Sequence, residues 1–312
     1  MSGSRVIALG HYQPAKVLTN DELAAMVDTS DEWIRSRVGI HTRRIAGPDE
    51  TVAAMAGEAA AKALATSGLD PAAIDLVLVA TCTAVDRSPN TAARVAARLG
   101  LTSPAVMDVN VVCSGFTHAL ASADHAIRAG AATNALVVGV EKFTDVVDWT
   151  DRSTCVLVGD GAGAAVVSAS EEPGIGPVVW GSVPDMGHAV RIEGTPSRFA
   201  QEGQSVYRWA TTQLPPIARS VCERAGVTPE ELAAVVLHQA NLRIIEPVAR
   251  RIGAVNAVVA TDVTESGNTS AASIPLALSK LVERGAIPSG APVLLFGFGG
   301  NLSYAGQVIR CP

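Results

Sequence analysis

Cys113 is the residue of this 312-residue chain whose setting best suits covalent chemistry. It ends an apolar run and opens a helical pattern that is rich in small residues. A cysteine in the first turn of a helix lies at the positive end of the helix dipole, which lowers the thiol pKa and favours the thiolate. Backbone N–H groups without helical partners at that turn can stabilise an oxyanion. The sequence therefore predicts a nucleophile and its charge stabilisation at one turn.

Two further polar residues occupy comparable positions. His238 ends a strongly apolar strand pattern, and Asn268 precedes a second small-residue helical pattern. The alternative readings are a hydrogen-bonded core histidine and a helix N-cap. The sequence predicts inert, structural roles for the other cysteines and for two histidines in the helix after Cys113: Cys82, Cys155, Cys222, Cys311, His118 and His125.

An internal repeat indicates how these residues are brought together. A glycine, a proline and an apolar residue recur at one constant offset: Gly68, Pro71 and Ile74 match Gly226, Pro229 and Leu232. Each copy predicts a helix closed by glycine, a turn begun by proline, and a buried strand of the parallel-sheet type. The match continues with 108–115 against 262–269, and with strand patterns at 135–141 and 292–298. The last strands are predicted at 154–158 and 164–168 in the first copy and 302–309 in the second.

The repeat predicts an α/β fold of two duplicated βαβαβαββ halves, residues 1–170 and 171–312, which form a five-layered α-β-α-β-α arrangement. Sites in α/β sheets lie beyond the carboxyl ends of the strands. Pseudo-twofold packing is therefore expected to bring Cys113 of the first half towards His238 and Asn268 of the second.

Composition excludes several classes of function. The chain is 48% hydrophobic and carries a net charge of −6, which argues against nucleic acid as its main partner. No apolar stretch approaches the roughly 20 residues that span a bilayer, and the first apolar run is too short for a secretory signal. Five cysteines without a CxxC pair predict a reducing cytoplasmic location, with neither a disulfide framework nor structural zinc. No Walker or HExxH motif occurs, and no metal is predicted.

Two glycine-rich runs and one basic cluster stand out. The run 159–164 resembles a dinucleotide fingerprint, but a strand pattern follows it, so it is interpreted as a turn between strands. The run 296–301 predicts a turn whose N–H groups could approach a substrate carbonyl. Arg243, Arg250 and Arg251 follow His238 at helical spacing. They form either a solvated face or a docking patch for an acidic partner or phosphate tail.

Several motifs follow one another along the chain in a specific order. They are the segment 30–40, Cys113, and the segments 151–163, 238–241, 267–273 and 298–301. On these, the chain resembles β-ketoacyl-acyl carrier protein synthase III of the thiolase superfamily. The resemblance implies the thiolase fold and a catalytic triad of Cys113, His238 and Asn268. In this reaction the cysteine takes an acyl group from acyl-CoA. Malonyl-acyl carrier protein then decarboxylates and attacks the acyl-cysteine, giving a β-ketoacyl product.

The resemblance also implies the residues around the triad. The N–H groups of Cys113 and Gly300 form the oxyanion hole. CoA is bound by one group of residues: Trp33, Arg37, Arg152, Gly203, Gln204, Tyr207, Ala240 and Asn241. Four arginines form the docking surface for the carrier protein: Arg208, Arg243, Arg250 and Arg251. It further implies no cofactor beyond the two substrates, and a homodimer in which a loop at 85–90 closes the acyl pocket of the partner.

The chain departs from the family pattern at three places. The segment 181–201 is short and carries few family residues, the loop 86–90 lacks a bulky residue, and Asn301 stands where glycine or alanine is commoner. Two alternative functions stay open at this point. One is acyl transfer to an alcohol or amine without carbon–carbon bond formation, and the other is a non-catalytic subunit that binds CoA or carrier protein.

Overall fold

The computed structural model describes residues 3–312. The strands, in chain order, are β1 (Gly3–Tyr12), β2 (Val17–Thr19), β3 (Thr42–Arg44), β4 (Leu76–Ala80), β5 (Ala105–Val109), β6 (Asn134–Glu141), β7 (Gly161–Ser170), β8 (Val179–Gly181), β9 (Val190–Glu193), β10 (Arg198–Gln201), β11 (Ala234–Leu237), β12 (Val258–Val259), β13 (Pro292–Phe298) and β14 (Tyr304–Arg310). The helices are α1 (Asn20–Ala24), α2 (Asp31–Val38), α3 (Val52–Ser67), α4 (Thr91–Arg98), α5 (Gly115–Arg128), α6 (Arg152–Cys155), α7 (Gly203–Arg224), α8 (Leu242–Ile252), α9 (Val263–Ser266) and α10 (Ser273–Glu283).

Two five-stranded mixed sheets form the frame. The first has the order β1-β7-β6-β4-β5 and the second the order β12-β11-β13-β14-β8. Helices α5 and α10 pack between the sheets, α3 and α4 cover the outer face of the first, and α7 and α8 cover the second. The predicted five-layered α/β arrangement is therefore confirmed. The sheets take their strands from residues 3–170 and 179–310, while the division into domains at residue 170 stays a prediction.

The repeated turn has the local structure that its residues predict. Gly68 ends α3 with φ +69°, and Gly226 follows α7 with φ +67°, both in the left-handed region that glycine adopts readily. Pro71 and Pro229 each begin a single 3₁₀ turn, and a fully buried strand follows in each half. Proline suits that position because its fixed φ fits a helical first turn and it has no N–H to leave unpaired.

Two expectations about the end of the first half were wrong. Residues 154–158 do not form a strand, because α6 ends at Cys155 and only Val158 makes an isolated bridge, to Asn268. The run 159–164 leads directly into β7 and is not a turn between two strands. A Cβ at Gly163 would lie 2.4 Å from the backbone nitrogen of Leu276, so glycine is needed here for close packing against α10.

The two halves also match in a register that sequence comparison missed. Each central helix is preceded by a 3₁₀ turn, Val112–Ser114 before α5 and Ser270–Ala272 before α10. Each turn begins with a non-glycine residue at positive φ, +47° in the first half and +45° in the second. Cys113 is thus the counterpart of Ala271, whereas Asn268 lies three residues earlier in its own half.

Between residues 3 and 312, no helix is both long enough and apolar enough to cross a bilayer.

Candidate active site

Cys113, His238 and Asn268 line one cavity, which has about 570 Å³ of free space. Cys113 lies in the 3₁₀ turn after β5, His238 directly follows β11, and Asn268 lies between α9 and the turn that leads into α10. The other walls are mostly apolar: Phe143, Leu157, Val190, Phe199, Val206, Ala240, Ile244 and Phe298. The tertiary structure therefore brings the three predicted residues together from both halves of the chain.

The setting of Cys113 differs from the expected helix terminus. The residue lies two positions before α5, in the 3₁₀ turn that leads into it, and is only 7% exposed. Burial raises the thiol pKa to about 11, although the nearby Ser270 hydroxyl and Gly300 N–H act in the opposite direction. The expectation of a lowered pKa was wrong, because loss of hydration outweighs the local donors. The free protein consequently holds this cysteine as a thiol at neutral pH.

The turn after β13 approaches the cysteine closely. Gly299 has φ +153°, and a Cβ built on it would lie 2.6 Å from the Cβ and 2.7 Å from the Sγ of Cys113. This close approach places the Gly300 N–H near the sulfur, where it acts to lower the thiol pKa. Asn301 adopts φ +59°, a left-handed conformation that asparagine tolerates better than most residues. Asparagine is thus compatible with the tight turn.

His238 is a buried, neutral imidazole with a fixed orientation. It is 2% exposed, and burial lowers its pKa to about 3. Its Nδ1 lies 2.8 Å from the hydroxyl of Ser273, which also accepts the N–H of Gln239 at 3.3 Å. We assign the hydroxyl as the donor to Nδ1, which places the proton of the imidazole on Nε2. The ring packs edge-on to Phe298, with 5.4 Å between centroids.

Asn268 is held through its backbone and its side chain. Its N–H donates to Leu157 at 2.7 Å and its carbonyl accepts from Gly159 at 3.1 Å. Its Oδ1 accepts the N–H of Ser270 at 2.9 Å, which leaves the side-chain NH₂ as the group available to a ligand. The amide is oriented as a hydrogen-bond donor, and it does not cap α10, which begins five residues later.

An outer cleft leads to the cavity that Cys113 lines. It holds about 1250 Å³ of free space and shares Leu157, Gln201, Gly203 and Asn241 with the cavity. Of the residues expected to bind CoA, six line this cleft: Trp33, Arg37, Gly203, Gln204, Tyr207 and Asn241. Ala240 lines the inner cavity instead.

The cleft is basic in an acidic protein. Arg37, Arg208 and Arg243 line it, and no acidic side chain is among its described lining residues. The Arg152 guanidinium stacks 4.9 Å above the Trp33 ring at the cleft margin, and Arg243 lies 5.9 Å from the Tyr207 ring. This charge and these aromatic faces suit a phosphorylated nucleotide.

The two remaining predicted docking residues lie farther along α8. Arg250 and Arg251 are both exposed, but the Arg251 guanidinium hydrogen-bonds the carbonyl of Thr211 on α7. Arg251 therefore also ties α8 to α7, whereas Arg250 is exposed to solvent.

The short segment 181–201 contributes directly to the cavity that Cys113 lines. It forms a 3₁₀ turn, Pro184–Ala189, and the hairpin β9–β10, from which Val190 and Phe199 reach the cavity wall. Phe199 packs edge-on to Phe143, with 5.2 Å between ring centroids. The segment was expected to border the entrance; it also lines the same cavity as Cys113.

Sequence reasoning missed several residues of the site. Ser270 and Ser273 lie within the motif already quoted at 267–273, but their partners depend on the fold. Glu141 ends β6 at the sheet edge where sites form, which is the signal that could have identified it. Cys82, predicted inert, lies 3.9 Å from the Ser270 hydroxyl and thus adjoins the site.

Comparison with known proteins gives consistent matches. A family model described as 3-oxoacyl-[acyl-carrier-protein (ACP)] synthase III matches residues 107–184, and the model of its C terminal region matches 222–311. A β-ketoacyl-[acyl-carrier-protein] synthase III of Streptomyces avermitilis is 79% identical over 100% of both chains, and one of Streptomyces coelicolor is 77% identical over 99% of both. Among solved structures, a priming β-ketosynthase from a polyketide biosynthetic pathway has a TM-score of 0.97 and 43% identity, covering 99% of this chain and 96% of that one. The 3-oxoacyl-[acyl-carrier-protein] synthase III of Aquifex aeolicus has a TM-score of 0.94 and 40% identity, and the match covers 99% of this chain and 100% of that one.

Proposed function

The chain belongs to the 3-oxoacyl-[acyl-carrier-protein] synthase III family, and we propose how its residues divide the work of that family's reaction. The enzyme condenses an acyl-CoA starter with malonyl-acyl carrier protein and so primes fatty-acid or polyketide synthesis. The observation that supports our assignment is the convergence of Cys113, His238 and Asn268 on one cavity at the inner end of a basic cleft.

Cys113 attacks the thioester carbonyl of acyl-CoA. The N–H groups of Cys113 and Gly300 lie near the sulfur, and we assign to them the stabilisation of the tetrahedral oxyanion that forms beside it. Collapse of this intermediate breaks the carbon–sulfur bond to CoA and leaves the acyl group on the cysteine.

His238 and Asn268 act in the second half-reaction. Both present N–H donors to the cavity, and neither is charged, so they stabilise the developing enolate without needing a change of protonation. Loss of carbon dioxide from the malonyl group then forms a carbanion that attacks the acyl-Cys113 carbonyl. Since the donors are protein groups throughout, we propose that no metal or organic cofactor is required.

The outer cleft binds the CoA nucleotide and pantetheine. Trp33 and Arg152 offer a stacked platform for adenine, and Arg37 offers charge for phosphate. In the Arg152→Ala variant, we expect a higher KM for acyl-CoA and an unchanged KM for the matching acyl-pantetheine, which has no nucleotide. An equal rise for both would assign Arg152 a structural role.

The carrier protein docks at the mouth of the cleft. Arg208, Arg243, Arg250 and Arg251 bring positive charge to this region, which suits an acidic partner. Arg250→Glu is expected to lower kcat/KM for malonyl-carrier protein, with the loss shrinking as salt is added. The matched control is Arg284→Glu, which reverses the charge of an exposed side chain at the C-terminal end of α10.

A homodimer is consistent with the exposed edge of the first sheet. β5 is an edge strand on which Met107 is 49% exposed, and Val85 in the nearby loop is 76% exposed. We propose that two copies pair along β5 so that the loop 85–90 of each closes the acyl pocket of the other. Met107→Lys should then reduce the mass seen by light scattering, and an unchanged mass would refute this pairing.

The five free cysteines support a reducing, cytoplasmic location.

One experiment tests the central assignment. The protein is incubated with labelled acyl-CoA, the acylated residue is identified by peptide mass spectrometry, and malonyl-carrier protein is added while carbon dioxide is measured. We expect acylation at Cys113 followed by decarboxylation, with no label in Cys113→Ala and normal label in Cys222→Ala. Label elsewhere refutes the nucleophile, and acylation without decarboxylation favours transfer to another acceptor.

A further inference from the structure

Two buried serines join the turn of Cys113 to the turn of Gly300. Ser114 directly follows Cys113, and Ser303 closes the turn after β13. The two hydroxyl oxygens lie 2.9 Å apart and form a buried hydrogen bond. This serine pair connects the half of the chain that carries the nucleophile to the half that carries the glycine turn. It has no role in the steps described above.

Ser303 holds the peptide groups on both sides of the Gly300 N–H. Its hydroxyl donates to the Gly300 carbonyl at 2.7 Å, and its own N–H donates to the same carbonyl at 3.0 Å. Its carbonyl accepts the N–H of Gly299 at 3.1 Å. The Gly300 N–H belongs to the peptide between these two anchored groups, so its direction depends on Ser303.

Three hydroxyl contacts of the serine pair share two protons. The Ser303 hydroxyl contacts the Gly300 carbonyl at 2.7 Å, the two hydroxyls contact each other at 2.9 Å, and the Ser114 hydroxyl contacts the Val111 carbonyl at 3.1 Å. We assign the protons to the two shortest contacts, because each hydroxyl has one proton to donate. The hydrogen bonds then run from Ser114 through Ser303 to the Gly300 carbonyl.

The turn after β13 requires such anchors because its backbone is unfavourable. Asn301 and Leu302 follow Gly300 with φ +59° and +40°, values that non-glycine residues adopt at a cost. Strained conformations of this kind persist only where the surrounding contacts determine them. The turn also packs closely onto the turn of Cys113, since a Cβ built on Gly300 would lie 2.6 Å from the Cβ of Val112. A shift of either turn would therefore move the Gly300 N–H relative to the nucleophile.

We propose that Ser303 and Ser114 are positioning residues that hold the Gly300 N–H where the oxyanion forms. This proposal rests on the assignment of Cys113 as the nucleophile and of Gly300 as an oxyanion donor. A donor stabilises the tetrahedral intermediate only if it already points at the developing charge. Without the serine pair the Gly300 N–H is still present, but its position relative to Cys113 is no longer fixed by a hydrogen bond between the two halves.

This role affects one kind of reaction of the sulfur and not another. Attack on a thioester carbonyl forms an oxyanion and needs the donor in place. Alkylation by iodoacetamide displaces iodide from a saturated carbon and forms no oxyanion. Loss of the serine pair should therefore slow acylation much more than alkylation, whereas a general disturbance of the nucleophile would slow both.

The test measures both reactions on the peptide that carries Cys113. Acylation uses acetyl-CoA or butyryl-CoA at saturation, whichever labels the unsubstituted protein faster, and alkylation uses iodoacetamide. In Ser303→Ala we expect acylation to fall about 10-fold more than alkylation, which is part of the roughly 10²- to 10³-fold cost of losing a whole donor. The Kd for CoA should be unchanged, because Ser303 is not among the described residues that line the outer cleft.

Two further variants accompany this measurement. Ser114→Ala keeps both hydrogen bonds of Ser303 to the Gly300 carbonyl and removes only the bond between the turns. It should show the same selective loss at a smaller size, and it provides the test if Ser303→Ala fails to fold. The matched control is Ser4→Ala, which removes another fully buried serine hydroxyl, bonded to Asp124 at 2.7 Å, and should be acylated normally.

Two outcomes would overturn the proposal. One is acylation of Ser303→Ala at the rate of the unsubstituted protein, and the other is an equal fall in acylation and alkylation; the same criteria apply to Ser114→Ala where it provides the test. Absence of acylation at Cys113 in the unsubstituted protein would instead refute the proposed function, so the two failures are distinguishable.

Discussion

Replacing Ser273 with alanine should impair decarboxylation while sparing acylation. The Ser273 hydroxyl is the observed polar partner of His238 Nδ1, at 2.8 Å, in a fully buried setting. Without it, the imidazole either keeps an unpaired Nδ1 or moves its proton there. In the second case Nε2 carries no proton and cannot donate to the enolate. Cys113 has no hydrogen bond to His238 or to Ser273, so its attack on acyl-CoA is expected to continue.

The size of the effect follows from two bounds. A buried acceptor left without its hydrogen bond costs about 1–3 kcal/mol, and loss of a whole oxyanion donor lowers a rate by about 10²- to 10³-fold. Since about 1.4 kcal/mol corresponds to tenfold, we expect decarboxylation to fall by about 10- to 100-fold. This loss should appear in kcat, because the interaction strengthens as the enolate forms.

The assay follows the two half-reactions separately. Acylation of Cys113 is measured from the intact mass after mixing with acyl-CoA, and decarboxylation from labelled carbon dioxide released from malonyl-carrier protein. Ser279→Ala is a matched control, because Ser279 on the same helix bonds His11 Nδ1 at 2.9 Å, away from the cavity. Full decarboxylation activity in Ser273→Ala, or an equal loss in both half-reactions, would refute the reasoning.

Three other predictions concern the site. Asn268→Ala should leave acylation of Cys113 intact and slow decarboxylation by about 10²-fold or more, since one enolate donor is lost; equal losses in the two assays would contradict this role. Gly299→Ala should abolish acylation in the intact-mass assay, because its Cβ would overlap Cys113, whereas Gly290→Ala, also at positive φ but with no atom within 4 Å, should acylate normally. Below pH 6.5 the unfolded chain protonates His238 but the native chain does not, so the free energy of unfolding should fall by up to about 1.4 kcal/mol per pH unit towards pH 3. Urea unfolding between pH 7 and 5 should therefore show a smaller loss of the free energy of unfolding in His238→Asn than in the unsubstituted protein. Equal losses in the two proteins would disprove the contribution of His238.

The layered fold could be predicted from sequence because its signals are local. A glycine after a helix, a proline at the next turn and a run of buried aliphatic residues each report on a few neighbouring residues, and their repetition fixed two similar halves. The missed register had a different cause. Positive φ at Val112 and Ser270 is unfavourable for both residue types and is maintained by packing between the halves. Local sequence preferences therefore do not predict it.

The sequence by itself determined which residues have the chemistry: a cysteine before a helix, a histidine after a buried strand, and an asparagine in a glycine-rich turn. Tertiary structure decided what state these groups adopt. Burial raises the thiol pKa of Cys113 and keeps His238 neutral, and both effects depend on how many chain segments exclude water. The partner that orients His238, Ser273, also comes from a separate element, α10. Hydration and long-range contacts are properties of the folded chain, and residue types and spacing do not encode them locally.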